Sequence, residues 1–198
     1  MGQLIGLSNR QGSEELTAVH RILIGGISGS GKSTLAARLS ARLTIPYHEL
    51  DALHHGPEWT KMESFESDVE AFANEPEWLT EDQYHPFLGE LLWECADTVI
   101  WLDLPRRTVM FRVIRRSLVR VVGRQALWNG NRETWRKLLF DPTHPIRWAW
   151  TQHGVRRRAT AERIERHPKV RVVRLTTVRQ VDQWLRSLPT GRPDATSV

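Results

Sequence analysis

The sequence predicts a three-layer α/β fold built on a five-stranded parallel sheet. Three observations predict it. Short apolar runs alternate with stretches of helical periodicity. The first run, Arg21-Ile22-Leu23-Ile24-Gly25, ends in glycines, as a buried parallel strand does. A glycine-rich turn then leads directly into a helix.

Taken in order, Lys32–Leu43 carries Leu35, Leu39 and Leu43 at four-residue spacing, one face of a helix that Pro46 brings to an end. Tyr47–Asp51 is predicted as a second strand. Phe65, Val69 and Phe72 mark a helix, and Trp78-Leu79-Thr80 a third strand. Pro86–Glu94 reads as one further helix, and Thr98-Val99-Ile100-Trp101-Leu102 as the fourth strand. A basic helix follows over about 106–121. Lys169–Leu175 alternates as the fifth strand, and Val181, Trp184, Leu185 and Leu188 form one face of a closing helix. The expected organisation is a flexible leader (1–20), one domain (21–188) whose segment 106–166 forms a basic helical lid, and a flexible tail (189–198).

At 198 residues, with 40% hydrophobic and 26% charged side chains, the chain suits one soluble domain. No apolar run reaches the length of a membrane span, and the first 20 residues lack the pattern of a secretory signal. A single cysteine, Cys95, excludes an internal disulfide and falls in an apolar helical pattern. A cytoplasmic location is expected. The net charge of +5 conceals a division: Glu49–Asp97 holds fourteen acids and one base, whereas Pro105–Arg166 holds sixteen bases and four acids. Such a basic half is suited to polyanions, among them polyphosphate and nucleic acid.

The chemistry is concentrated at Gly26-Ile27-Ser28-Gly29-Ser30-Gly31-Lys32-Ser33-Thr34, which satisfies G-x-x-x-x-G-K-[ST] between a predicted strand and a predicted helix. Glycines at these positions let backbone N–H groups ring a phosphate without Cβ clashes. The helix start aims further N–H groups at the same anion. Lys32 supplies a charge for the β- and γ-phosphates of ATP, and the Ser33 hydroxyl suits a hydrated Mg²⁺. Carboxylates that position metal or acceptor belong at strand ends. Three are candidates: Asp51, Glu81 and Asp103. If the third strand lies beside the first, Glu81 stands nearest the Mg²⁺ and shares it with Ser33. Asp51 then faces the phosphoryl acceptor, and Asp103, ahead of Leu104-Pro105, starts a turn or caps a helix. His48, His54 and His55 flank Asp51 without zinc spacing and read as polar pocket or surface.

Arg112 and Arg116 share a helix face, where guanidinium groups can stack on a base and fork onto phosphate. Arg120, Arg124 and Arg132 carry the charge into the expected lid, while Arg156-Arg157-Arg158 reads as a solvated face. Among nine tryptophans, Trp101 and Trp184 follow core periodicity. Trp128, Trp135, Trp148 and Trp150 lie among the arginines, where aromatic stacking suits a base or an RNA strand.

The phosphate loop, Leu50-Asp51-Ala52-Leu53 and Ala96–Pro105 together resemble the adenylate-kinase-like P-loop proteins often labelled DNA topology modulation proteins, over roughly residues 22–188. In adenylate kinases a similar Asp-x-Pro is followed by one arginine that covers the adenine and another that contacts phosphates. The resemblance places these on Arg112 and Arg116. Its members commonly carry Asp-Gly-Asn-Tyr where this chain has Glu81-Asp82-Gln83-Tyr84. Shikimate-kinase-like relatives use an aspartate after strand two against the acceptor hydroxyl, which implies that role for Asp51. No arginine occurs between the predicted strands two and three, where nucleoside-monophosphate kinases hold the acceptor phosphate. Either the lid arginines hold it, or the acceptor is not a monophosphate. The expected activity is an ATP- and Mg²⁺-dependent kinase acting on a small molecule, a nucleoside, nucleotide or related metabolite. A nucleic-acid-binding ATPase, a polynucleotide kinase and a non-catalytic nucleotide-binding regulator are the alternatives.

Overall fold

The structure is a computed structural model that describes residues 19–122 and 145–189. Residues 1–18 of the expected leader, Arg124, Trp128, Arg132, Trp135 and the centre of the expected lid lie outside those residues, as does the tail beyond 189. Within them no helix is long and apolar enough to cross a membrane.

Four parallel strands form the sheet in the order β2-β1-β3-β4: β1 is Arg21–Gly25, β2 Trp78–Glu81, β3 Thr98–Leu102 and β4 Arg171–Leu175. Strand β1 is flanked by β2, which pairs Ile24 with Glu81, and by β3, which pairs Ile24 with Ile100. Alternation along the strands builds two cores. Ile22, Ile24 and Ile100 pack with Leu35 and Leu39 of helix α1 (Lys32–Leu43) on one face. Leu23 and Val99 meet Phe65, Phe72, Trp78 and Trp93 on the other. The helices on that second side are α2 (Leu50–His54), α3 (Phe65–Ala73), α4 (His85–Leu88) and α5 (Leu91–Cys95). Helices α6 (Arg106–Val122) and α7 (Pro145–Arg166) pack on one another. Trp184 and Leu185 of α8 (Val178–Ser187) close the first core, and Thr177 and Gln180 form a reciprocal capping box at the start of that helix.

Two expectations need correction. Five strands were predicted, and four are present among the described residues. Around Tyr47 the chain makes one parallel bridge to Leu79, with Leu79 N–H donating to Pro46 O and His48 N–H to Leu79 O. Pro46 has no N–H to extend that ladder, and Leu50 buries itself in the second core by turning into α2. Asp51 therefore lies in the first turn of a short helix and not at a strand end. The helix predicted over Pro86–Glu94 is two, because Gly89 adopts φ 55° between α4 and α5. Cys95 is half-buried against the second core, and Trp101 and Trp184 are buried as predicted.

Asp103 joins β3 and β4 to α7. Its carboxylate, 3% exposed, receives Arg157 Nε at 2.7 Å and Arg174 Nη2 at 2.5 Å, and Arg174 also lies over the Trp101 ring. One prediction is thereby corrected: Asp103 is a buried ion-pair centre where a turn or helix cap was expected, while Arg157 is exposed as expected and tethered through its Nε. Because Arg157 remains 53% exposed, water offsets part of its loss. Asp103→Ala is expected to lower stability by about 1–3 kcal/mol in urea unfolding. An unchanged midpoint would show that the tether carries no stability.

Candidate active site

Between β1 and α1 the chain turns tightly, Ser30 N–H donating to Ile27 O at 3.0 Å. Gly31 precedes α1 with φ 99°, and no side chain caps the helix, so its first N–H groups are left to receive an anion. From α6, Arg112 Nη1 donates to Ser30 O at 2.8 Å and Arg116 Nη2 to Ser28 Oγ at 3.2 Å. Both sequence-predicted arginines thus lie on the loop itself.

Lys32, at the head of α1, is buried, with Nζ 3.9 Å from Glu81 Oε2. Burial lowers its pKa; Glu81, Asp51 and Asp82 pull it back up, and Arg116 adds to the lowering. Glu81 ends β2, where Oε1 accepts from the Tyr47 hydroxyl at 2.8 Å and Oε2 from Gln83 Nε2 at 2.5 Å. Ser33, the other group predicted to hold Mg²⁺, lines the same side of the loop as Glu81. Burial and Glu81 raise the Tyr47 pKa strongly, and the phenol stays protonated. A hydroxyl and a carboxylate lining one cavity beside the loop suit a hydrated, octahedral, oxygen-liganded cation.

Successive residues at the end of β2 diverge, and Asp82 leaves Glu81 to face the other way. Its carboxylate is buried beside β1, accepting from Trp93 Nε1 at 2.8 Å with His85 Nε2 at 3.2 Å. Burial pushes its pKa up, but His85, the Trp93 N–H and the charge of Arg163 outweigh this and hold the carboxyl below its usual range. Asp51 Oδ1 accepts from the Tyr84 hydroxyl at 2.6 Å, and His55 Nε2 lies 3.1 Å from the same hydroxyl. The three histidines pack as polar aromatic rings: His54 stacks on Tyr84 and His48 on Phe72.

Two cavities flank the loop. The wider, about 870 Å³, runs from the loop past Asp51 and Glu81 to the arginines of α6 and the start of α8. The smaller, about 300 Å³, lies between the loop, Asp82–Phe87 and one face of α7. Ser28, Lys32, Gln83 and Leu102 line both, so the cavities adjoin at the lysine.

Among solved structures the chain is similar to a shikimate kinase from Bacteroides thetaiotaomicron, with a TM-score of 0.50 at 11% identity over 85% of this chain and 96% of that one. The likeness is in the fold. A gluconokinase from Sinorhizobium meliloti 1021 (TM-score 0.47, 18% identity, 85% and 88% covered) is also similar. So is a shikimate kinase from Acinetobacter baumannii in complex with shikimate (TM-score 0.48, 12% identity, 87% and 93% covered). No family model matches the chain, and no curated protein does.

Sequence reasoning placed Asp51 facing the acceptor. It lines the wider cavity, and the residue between it and the smaller one is Tyr84. Asp82, Tyr47 and Tyr84 were not singled out. For Asp82 a signal existed in its position one residue beyond a strand-end carboxylate, where the side chain must face the opposite side. The α7 face was also missed: His153, Arg156, Thr160 and Arg163 recur at helical spacing and line the smaller cavity. Arg157 lines it as well.

Proposed function

We propose that this chain is an ATP- and Mg²⁺-dependent phosphotransferase acting on a small hydroxylated molecule. The observation that carries the reading is the meeting of two cavities at Lys32, one beside the phosphate loop and the α6 arginines, the other walled by α7. A donor bound on the loop would aim its terminal phosphate at the smaller cavity. The fold shared with a shikimate kinase supports the reading.

In this reading the loop N–H groups and Lys32 hold the donor phosphates, Arg112 and Arg116 leave the loop for base and phosphate, and Ser33 and Glu81 hold Mg²⁺. Bound Mg²⁺ neutralises charge on the donor's phosphate oxygens. The acceptor hydroxyl attacks the γ-phosphorus in line, the bond to the ADP oxygen breaks, and the hydroxyl proton passes to a carboxylate. Asp82 is the better placed for that proton because it lines the smaller cavity; its low pKa suits it to orient the hydroxyl more than to abstract early. Asp51 acts through Tyr84, holding its hydroxyl toward the cavity.

The test is Mg²⁺-dependent ADP release over a panel of hydroxylated acceptors. Asp82→Asn is expected to cut kcat about 10²-fold with KM for ATP unchanged. Asp51→Asn, whose amide oxygen can still accept from Tyr84, should cost less than about tenfold. The reverse ranking returns the hydroxyl-orienting role to Asp51, and a chain that binds ATP but releases ADP with no acceptor is not a kinase. Steeply salt-dependent binding of RNA or DNA would favour the nucleic-acid alternatives.

A further inference from the structure

Asp82 is held through one of its two oxygens. Oδ1 accepts from the buried Trp93 Nε1 at 2.8 Å and has His85 Nε2 at 3.2 Å. Oδ2 has no hydrogen-bond partner among the described residues and lies 3.9 Å from where a Cβ on Gly25 would stand. Thr160 and Trp101, which line the smaller cavity with Asp82, come to the same point at 3.8 and 4.0 Å. The free oxygen is therefore on the cavity side. A carboxylate turns easily about its last torsion, which has a broad minimum. Two donors on Oδ1 remove that freedom and so fix where Oδ2 points. His85 Nε2 has a second neighbour: Arg163 Nη1 is 3.1 Å from it, and Arg163 Nε is held by Glu90 at 3.1 Å. A carboxylate only accepts and a guanidinium only donates, so the one nitrogen serves one of them at a time. With a proton on Nε2, His85 donates to Asp82. Without it, Nε2 accepts from Arg163, and Trp93 alone holds the carboxylate.

We infer that His85 and Trp93 are positioning residues for the phosphoryl acceptor: by holding Oδ1 of Asp82 they present Oδ2 to the acceptor hydroxyl. The inference rests on the phosphotransferase reading above, and it adds the condition that His85 Nε2 carries a proton in the productive state. Neither side chain has to touch the substrate. Their effect falls on the alignment of the attacking hydroxyl, where a displacement of about 1 Å costs on the order of 10²-fold in rate. Asp82 and His85 line the smaller cavity and not the wider one, so the hold acts on the acceptor and leaves the donor's site alone.

The experiment is a double-mutant cycle on the full chain, read by initial rates of ADP release with Mg·ATP. An aldose, an aldonic acid and a nucleoside are offered as acceptors, and the fastest is used throughout. His85→Leu is expected to lower kcat about tenfold with KM for ATP unchanged, the effect of losing one hydrogen bond to a charged group. Trp93→Phe, which keeps the aromatic packing and removes the N–H, is expected to do the same. His85→Gln is expected to recover most of the loss, since its amide donates to Asp82 and accepts from Arg163 at once. In an Asp82→Asn background His85→Leu is expected to cost less than about twofold, because the carboxylate it serves is gone. A His85→Leu kcat within about threefold of the parent protein, or an equal loss in both backgrounds, overturns this inference while leaving a kinase in place. So does a His85→Gln protein no faster than His85→Leu. If calorimetry shows Mg·ATP bound and the parent protein phosphorylates no acceptor, the phosphotransferase reading falls, and this inference with it. Should His85→Leu not fold, Trp93→Phe takes its place in the cycle.

Discussion

Lys32→Ala is expected to lower ATP turnover by at least about 10²- to 10³-fold, the cost of removing a prearranged charge from a developing phosphoryl anion. The expectation rests on where the ammonium sits. It is 8% exposed, lines both cavities and has Glu81 at 3.9 Å. Charge in so dry a place acts far more strongly on phosphate oxygens than a surface lysine would. The same burial lowers its pKa in the free protein, so kcat/KM should begin to fall in alkali below the ordinary lysine value of about 10.4. The measurement is initial-rate kinetics over pH beside calorimetric titration of Mg·ATP. Turnover within threefold of the parent protein would remove Lys32 from the mechanism.

Gly29→Ala is expected to be the most damaging single change in the loop. Gly29 has φ 84°, where a side chain is strained, and a Cβ there would stand 2.2 Å from Val113 Cγ2 and 3.2 Å from Val109 O. Val109 and Val113 are fully buried in α6 and pack with Ile27 and Leu104, so neither can step aside freely. The loop or the helix must move instead, and α6 carries Arg112 and Arg116 with it. A loss of about 2–4 kcal/mol in unfolding free energy is expected, from backbone strain plus overpacking, together with weaker nucleotide binding. Val113→Ala in the same chain removes the nearer contact and should restore about half of the stability but not the strain. Equal stability of Gly29→Ala and the parent would show that the loop is not wedged against α6.

The phosphate loop was legible because its parts are contiguous: strand, glycines, lysine and helix follow in one stretch. The four strands were equally visible as β-branched or apolar runs, and the place of β2 beside β1 agrees with expectation. The missing strand shows the limit. Tyr47–Asp51 has strand-like composition, but Pro46 and the burial of Leu50 decide the matter, and burial is a property of the assembled core. Tyr47 and Tyr84 were hidden for a related reason: they meet Glu81 and Asp51 across 34 and 33 residues, and no local pattern marks such pairs. Arg157 and Arg158 face water as a run of like charge usually does, but the cavity-lining place of Arg156 and Arg157 left no local signal. Their position over the cavity depends on α7 lying against Asp103 and the sheet.

The two halves of the site are made of different material. The loop side is largely main chain, with a glycine geometry that tolerates little change. The other cavity takes its α7 wall from separate side chains on successive turns of one helix. Single substitutions on α7, at His153 or Thr160 for example, can therefore reshape the smaller cavity without disturbing the loop. The loop stands or falls as one contiguous unit, whereas the α7 wall of the smaller cavity is set one side chain at a time.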